Sequence, residues 1–200
     1  MTKKTTAKER REARLWDEIR SLYDKLLYWY YEQESPGEAR PFAVKLERLL
    51  KKVSAHHETI LGEECWSLIY ELKGNYRRAI KYRENEIRLI EVLQELARGK
   101  PNGQAILRRY DYSDLCDRLE LLAMLYHRAG DLDEAVSVLQ ECEALCLRHK
   151  LAFDAQDVLQ GYMAEKDERA AEARREAQKA KRKQPAAGRR PKRPRAKARR

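Results

Sequence analysis

Apolar residues return every three or four positions along most of this 200-residue chain, between short breaks several of which contain Gly or Pro. The first run is Leu15, Ile19, Leu22, Leu26 and Tyr30, widened by Trp16, Tyr23, Leu27 and Trp29. That spacing puts one apolar stripe on one face of a helix over 11–34. The break SPGEARP follows, with Pro41 placed to open a second helix to about 52 through Val44, Leu46, Leu49 and Leu50. A third helix over 55–73 stops at Gly74, which closes a helix in the left-handed conformation. A fourth, over 75–97, stops before RGKPNGQ, and 98–112 has no decisive periodicity. Ser113 or Asp114 caps a fifth helix to Gly130, and Asp131 starts a sixth to about 149. Phe153 and Asp154 introduce a seventh, whose apolar face of Val158, Leu159, Tyr162 and Met163 is short.

Composition agrees with the periodicity. Leucine occurs 25 times, against 17 for Val, Ile and Thr combined. Leucine and the straight-chain charged residues lose little rotamer freedom in helices, and no alternating strand pattern is bounded by turns. The expected class is all-α, as antiparallel helical hairpins stacked into a short solenoid. No apolar run approaches the roughly 20 residues that span a bilayer, and no signal peptide opens the chain. Four cysteines without secretory context read as reduced thiols, and the expected compartment is the cytoplasm, or the nucleus in a eukaryote.

Charge separates body from tail. The formal net charge is +10, yet 181–200 hold eleven of the 43 basic residues and no acid. The remaining 180 residues therefore carry a net of −1. The expected organisation is a frayed start at 1–10, a helical domain at 11–163, a charged solvent-exposed helix at 164–183 and a disordered basic tail at 184–200. In the charged helix, Glu165–Arg169 at i,i+4 gives only weak support.

Two stretches can be laid over one another. Leu119, Leu122, Ala123 and Tyr126 precede Gly130-Asp131-Leu132, then Ala135, Leu139 and Cys142. Trp66, Ser67 and Tyr70 precede Gly74-Asn75-Tyr76, then Ala79. The pattern resembles the tetratricopeptide repeat, in which small residues let paired helices approach and glycine reverses the chain. The Leu119–Cys142 stretch follows it over about 34 residues. The Trp66–Ala79 stretch departs from it, with Glu63 at an apolar position and Arg83 and Glu86 in place of apolar residues.

The resemblance implies a binding module with a concave surface for a protein or peptide partner. Its inner-face positions fall at Glu64, Leu68, Glu71, Glu120, Met124 and His127. Chaperone-binding members hold a terminal carboxylate with Lys and Asn, where this chain has Glu64 and Leu68, so that specialised role is not implied. The acidic positions suit a basic or polar ligand, or else a solvated face with none. The aromatic run Tyr28-Trp29-Tyr30-Tyr31 is expected to be core in part, with a surface for a partner or a second copy of the chain as the alternative.

Catalytic and metal chemistry finds little support. Cys142, Cys146 and His149 share one helical stripe, but its ends lie about 10 Å apart along the axis, too far for one ion. A four-ligand zinc site at about 2.0–2.3 Å needs Cys116 or Cys65 from another helix, so the thiols are expected to be small buried hydrophobes. His56 and His57 diverge around their helix and do not chelate together. No phosphate loop, nucleophile elbow or HExxH sequence occurs, so no enzyme, metal or cofactor is expected. Polyanion binding is expected of Lys181, Arg182, Lys183, Arg189, Arg190, Lys192, Arg193, Arg195, Lys197, Arg199 and Arg200. With no aromatic residue in that stretch, phosphate contact and counterion release are the whole mechanism. The alternative reading makes the chain a nucleic-acid-associated protein, its helical body serving dimerisation or stability.

Overall fold

A computed structural model describes residues 6–53, 59–101 and 103–183, and among them there are helices and no strands. Helix α1 (Ala7–Leu27) starts earlier than expected. The Thr6 side chain accepts from the Glu9 N–H at 3.2 Å, and the Glu9 carboxylate accepts from the Thr6 N–H at 2.6 Å. This reciprocal cap satisfies two backbone donors and makes 7–10 helical, where a frayed start was expected. A π-helical turn (Tyr28–Glu32) extends α1.

Helix α2 (Pro36–Leu50) opens at Pro36 and not at Pro41, which sits inside it. Pro41 lies in the second turn and has no N–H for the Gly37 carbonyl, so one intrahelical hydrogen bond is lost near the start of α2. Helix α3 (Ile60–Leu72) begins after Thr59, which accepts from the Gly62 N–H at 3.1 Å. The earlier part of that expected helix falls on 55–58, outside the described residues. Helix α4 (Tyr76–Ala97) starts where expected, capped by Asn75, whose side chain accepts from the Arg78 N–H at 3.3 Å. The stretch without decisive periodicity holds a short helix, α5 (Gly103–Arg109). Helix α6 (Tyr112–Ala129) is capped by Asp111, which accepts from the Asp114 N–H at 3.0 Å; neither Ser113 nor Asp114 is the cap. Helices α7 (Leu132–His149) and α8 (Gln156–Lys183) complete the order. No helix among the described residues is long and apolar enough to cross a membrane.

The helices pair as α1 with α2, α3 with α4, and α6 with α7; α2 also meets α3, and α4 meets α6. The α3–α4 and α6–α7 turns share one geometry. Gly74 (φ 69°) and Gly130 (φ 85°) are left-handed, where other residues are strained. The Asn75 N–H then donates to the Tyr70 carbonyl at 2.8 Å, and the Asp131 N–H to the Tyr126 carbonyl at 2.9 Å. Ser67, Ala79, Ala123 and Ala135 have no exposed surface. Small side chains are thus fully buried in both hairpins, and the Ser67 hydroxyl donates across the first hairpin to the Ala79 carbonyl at 2.9 Å.

The chain divides into two compact units, Met1–Tyr162 and Met163–Arg200. The first has two apolar clusters. Ile19, Leu26, Leu46, Leu68 and Ile69 centre one built from α1, α2 and α3. Ile90, Leu119, Leu125, Leu139 and Leu159 centre the other, built from α4, α6, α7 and the start of α8. Each such Leu or Ile contributes about 1.5–3 kcal/mol on burial, so these clusters carry the fold. The described part of the second unit is the charged remainder of α8, where Arg169 pairs with Glu165 at 2.5 Å. Lys181, Arg182 and Lys183 end α8, and the other basic tail residues lie outside the described residues.

Candidate functional site

The six expected inner-face residues do not form one open groove. Leu68 is 1% exposed and belongs to the first apolar cluster. Glu71 is buried as well, and the chain itself supplies its partners. The Tyr31 hydroxyl donates to Glu71 Oε2 at 2.8 Å, the Tyr30 hydroxyl to Oε1 at 3.3 Å, and Arg128 pairs with Oε1. The π-helical turn after α1 therefore covers the face of α3 that the sequence reading left open. His127 stacks on Tyr162 of α8, ring centroids 4.3 Å apart and planes 5° from parallel. Met124 and Glu120 are half-buried. Burial, followed by the charges of Asp117 and Asp154, raises the Glu120 carboxyl above its ordinary range.

Glu64 belongs to a charged seam that joins the two hairpins. Arg83 and Glu86 pair at 2.6 Å on α4, with 2% and 0% of their side chains exposed. Arg118 on α6 donates through Nε to Glu86 Oε1 at 2.6 Å, pairs with Asp114, and lies 4.0 Å from Glu64. Two guanidinium groups thus face three carboxylates, and the nearly dry surroundings magnify every interaction among them. Burial raises the Glu86 carboxyl against the pull of Arg83 and Arg118. Asn85 donates to Glu63 at 3.2 Å beside the seam. The residues that depart from the repeat pattern (Glu63, Arg83 and Glu86) are therefore internal polar structure, and their signal in the sequence was the interruption of the apolar stripe.

An open groove lies elsewhere. It has a volume of about 460 Å³ and runs between α1, the start of α3, α4 and the end of α5. Trp16, Leu61, Leu89, Leu93 and Tyr110 give it apolar walls, while Arg20 and Arg109 stand on its rim. Both arginines are exposed, and the Arg109 guanidinium lies 5.4 Å from the Tyr110 ring centre. Leu93 also borders a smaller apolar hollow of about 260 Å³ against α5, next to the exposed Leu96. This surface was missed because 98–112 had no assigned structure. The available signal was an apolar arc on α4 wider than one stripe: Leu89, Val92, Leu93 and Leu96 flank the buried Ile87 and Ile90.

The thiols also gather differently from the helical stripe. Cys116, Cys142 and Cys146 lie with their sulfurs within 4.8 Å of one another, and Cys116 Sγ is 3.1 Å from Cys146 Sγ. His149 is not in this group; its ring stacks on Tyr112 at 3.4 Å. Cys65 lies apart, in the first apolar cluster.

No family model, curated protein or solved structure matches this chain.

Proposed function

We propose that the chain is a non-enzymatic, tetratricopeptide-like interaction module that docks an acidic, amphipathic segment of a partner protein in the Trp16–Leu93–Tyr110 groove. The groove's combination of apolar walls and an arginine rim carries this reading. Apolar anchors of the partner fill the floor, while its acidic residues meet Arg20 and Arg109, a complementarity that raises the association rate and rejects basic competitors. Glu64 and Glu71 favour no basic ligand, because Arg118 and Arg128 lie against them within the chain. The polycationic tail adds a second attachment, to RNA, DNA or another polyanion, with affinity that falls steeply with salt. The two attachments together make an adaptor that holds a protein near an acidic surface.

Binding of acidic amphipathic peptides, followed through indole fluorescence and calorimetry, tests the groove. The paired substitutions Arg20→Glu and Arg109→Glu lie on exposed side chains and leave the apolar clusters untouched. They are expected to abolish binding of acidic peptides while the helical circular dichroism is retained. Equal binding of acidic, basic and scrambled peptides overturns the docking reading. The alternative, in which the body only supports a nucleic-acid-binding tail, rests on the eleven basic residues of 181–200. It predicts that all partners captured by the full chain disappear on nuclease treatment.

A further inference from the structure

We propose that Cys116, Cys142 and Cys146 form a binding site for a soft, low-coordinate ion of the Cu(I) class. Cys142 and Cys146 stand one turn apart on α7, and Cys116 faces them from α6, so the hairpin itself assembles the three donors. Three sulfurs around an ion at about 2.3 Å stand about 4.0 Å from one another. The observed sulfurs, all within 4.8 Å of each other with a closest pair at 3.1 Å, straddle that value. A shift below about 1 Å per sulfur closes the geometry around an ion of that size.

The donor set selects the ion. It contains sulfur alone, which favours soft ions over magnesium or calcium. The three side chains are 5%, 0% and 2% exposed, which keeps out the water that a three-thiolate zinc centre would need as its fourth ligand. A low-coordinate ion needs no such ligand. Without it, the thiols satisfy one another: Cys116 and Cys146 are in contact, and the Cys142 thiol donates to the Cys116 carbonyl at 3.7 Å. Each sulfur that ligates then releases its proton to solvent; no electron moves, and affinity rises with pH.

The test uses the full chain, reduced with a phosphine under anaerobic conditions and titrated with Cu(I) against a chromophoric chelator. One Cu(I) per chain is expected to leave the chelator, and copper X-ray absorption of the wild-type protein should show sulfur neighbours alone. Cys142→Ala and Cys146→Ala should each weaken binding by at least the roughly 10-fold that loss of even an outer-shell partner costs. Cys65→Ala should bind as the wild type does. The proposal is overturned if the chelator keeps the copper, if nitrogen or oxygen neighbours dominate the absorption spectrum, or if the Cys142→Ala/Cys146→Ala variant competes undiminished. A Cys116–Cys146 disulfide formed in place of copper uptake also overturns it. The absorption measurement needs no variant, so it decides the matter even where an alanine weakens the fold.

Discussion

Arg118 on α6 reaches Glu86 on α4 at 2.6 Å, across 32 residues of chain, and so ties the second hairpin to the first through a carboxylate with no exposed surface. Burying these charges costs several kcal/mol each, and only the mutual pairing with Arg83 and Asp114 offsets it. The seam is therefore more sensitive to losing one member than to losing Arg83 and Glu86 together.

Glu86→Leu is expected to destabilise the fold by about 3–5 kcal/mol, because Arg83 is left charged and buried. Arg83→Met combined with Glu86→Leu should recover part of that loss, since apolar groups replace the buried pair while Arg118 keeps Asp114 but still lacks Glu86. Urea unfolding of the two single variants and the double variant measures the coupling. Additive losses would show that the pair does not act as a unit.

Ala135 on α7 has no exposed surface, and α7 packs against α6. Ala135→Leu should therefore cost about 1–3 kcal/mol through overpacking. Ser67→Ala should cost about 1 kcal/mol, the net worth of its hydrogen bond to the Ala79 carbonyl. Thermal unfolding of each variant checks both, and an unchanged midpoint for Ala135→Leu would place the helices further apart than described.

Alkaline stability should report on Glu71. Burial first, and then the Glu71 charge, raise the Tyr30 hydroxyl to about 12 and move Tyr31 upward as well. In the unfolded chain both ionise near 10. Their contribution is complete below about 10 and is lost as pH rises through about 12, because the unfolded state gives up its protons first. Denaturant midpoints measured across that window should fall for the wild type and fall less for Tyr31→Phe.

Binding of nonspecific duplex DNA should depend on the tail. With eleven basic residues available, the slope of log affinity against log salt reaches at most about −10. A chain ending at Lys179 should show a slope near zero. Retention of the full-length slope by the shortened chain would assign the contact to the helical body.

The sequence by itself determined the helices and many of their ends. A cap or a left-handed glycine acts within a few residues, so Asn75, Gly74 and Gly130 announce themselves locally. The small residues Ser67, Ala79, Ala123 and Ala135 were legible for the same reason: close helix approach requires them wherever a short turn folds one helix onto the next. Pro41 misled because position in a helix, and not residue type alone, sets what a proline costs.

Tertiary structure decided which charged and thiol groups are internal. Periodicity tells which side of a helix faces inward, but not what lies against it. Glu71 reads as a solvent-facing acid until Tyr31, 40 residues away, and Arg128, 57 away, close over it. Arg83 and Glu86 break an apolar stripe in the sequence, and only the arrival of Arg118 makes that break affordable. Cys116 joins Cys142 and Cys146 by the same kind of long-range approach, which no spacing along one helix encodes.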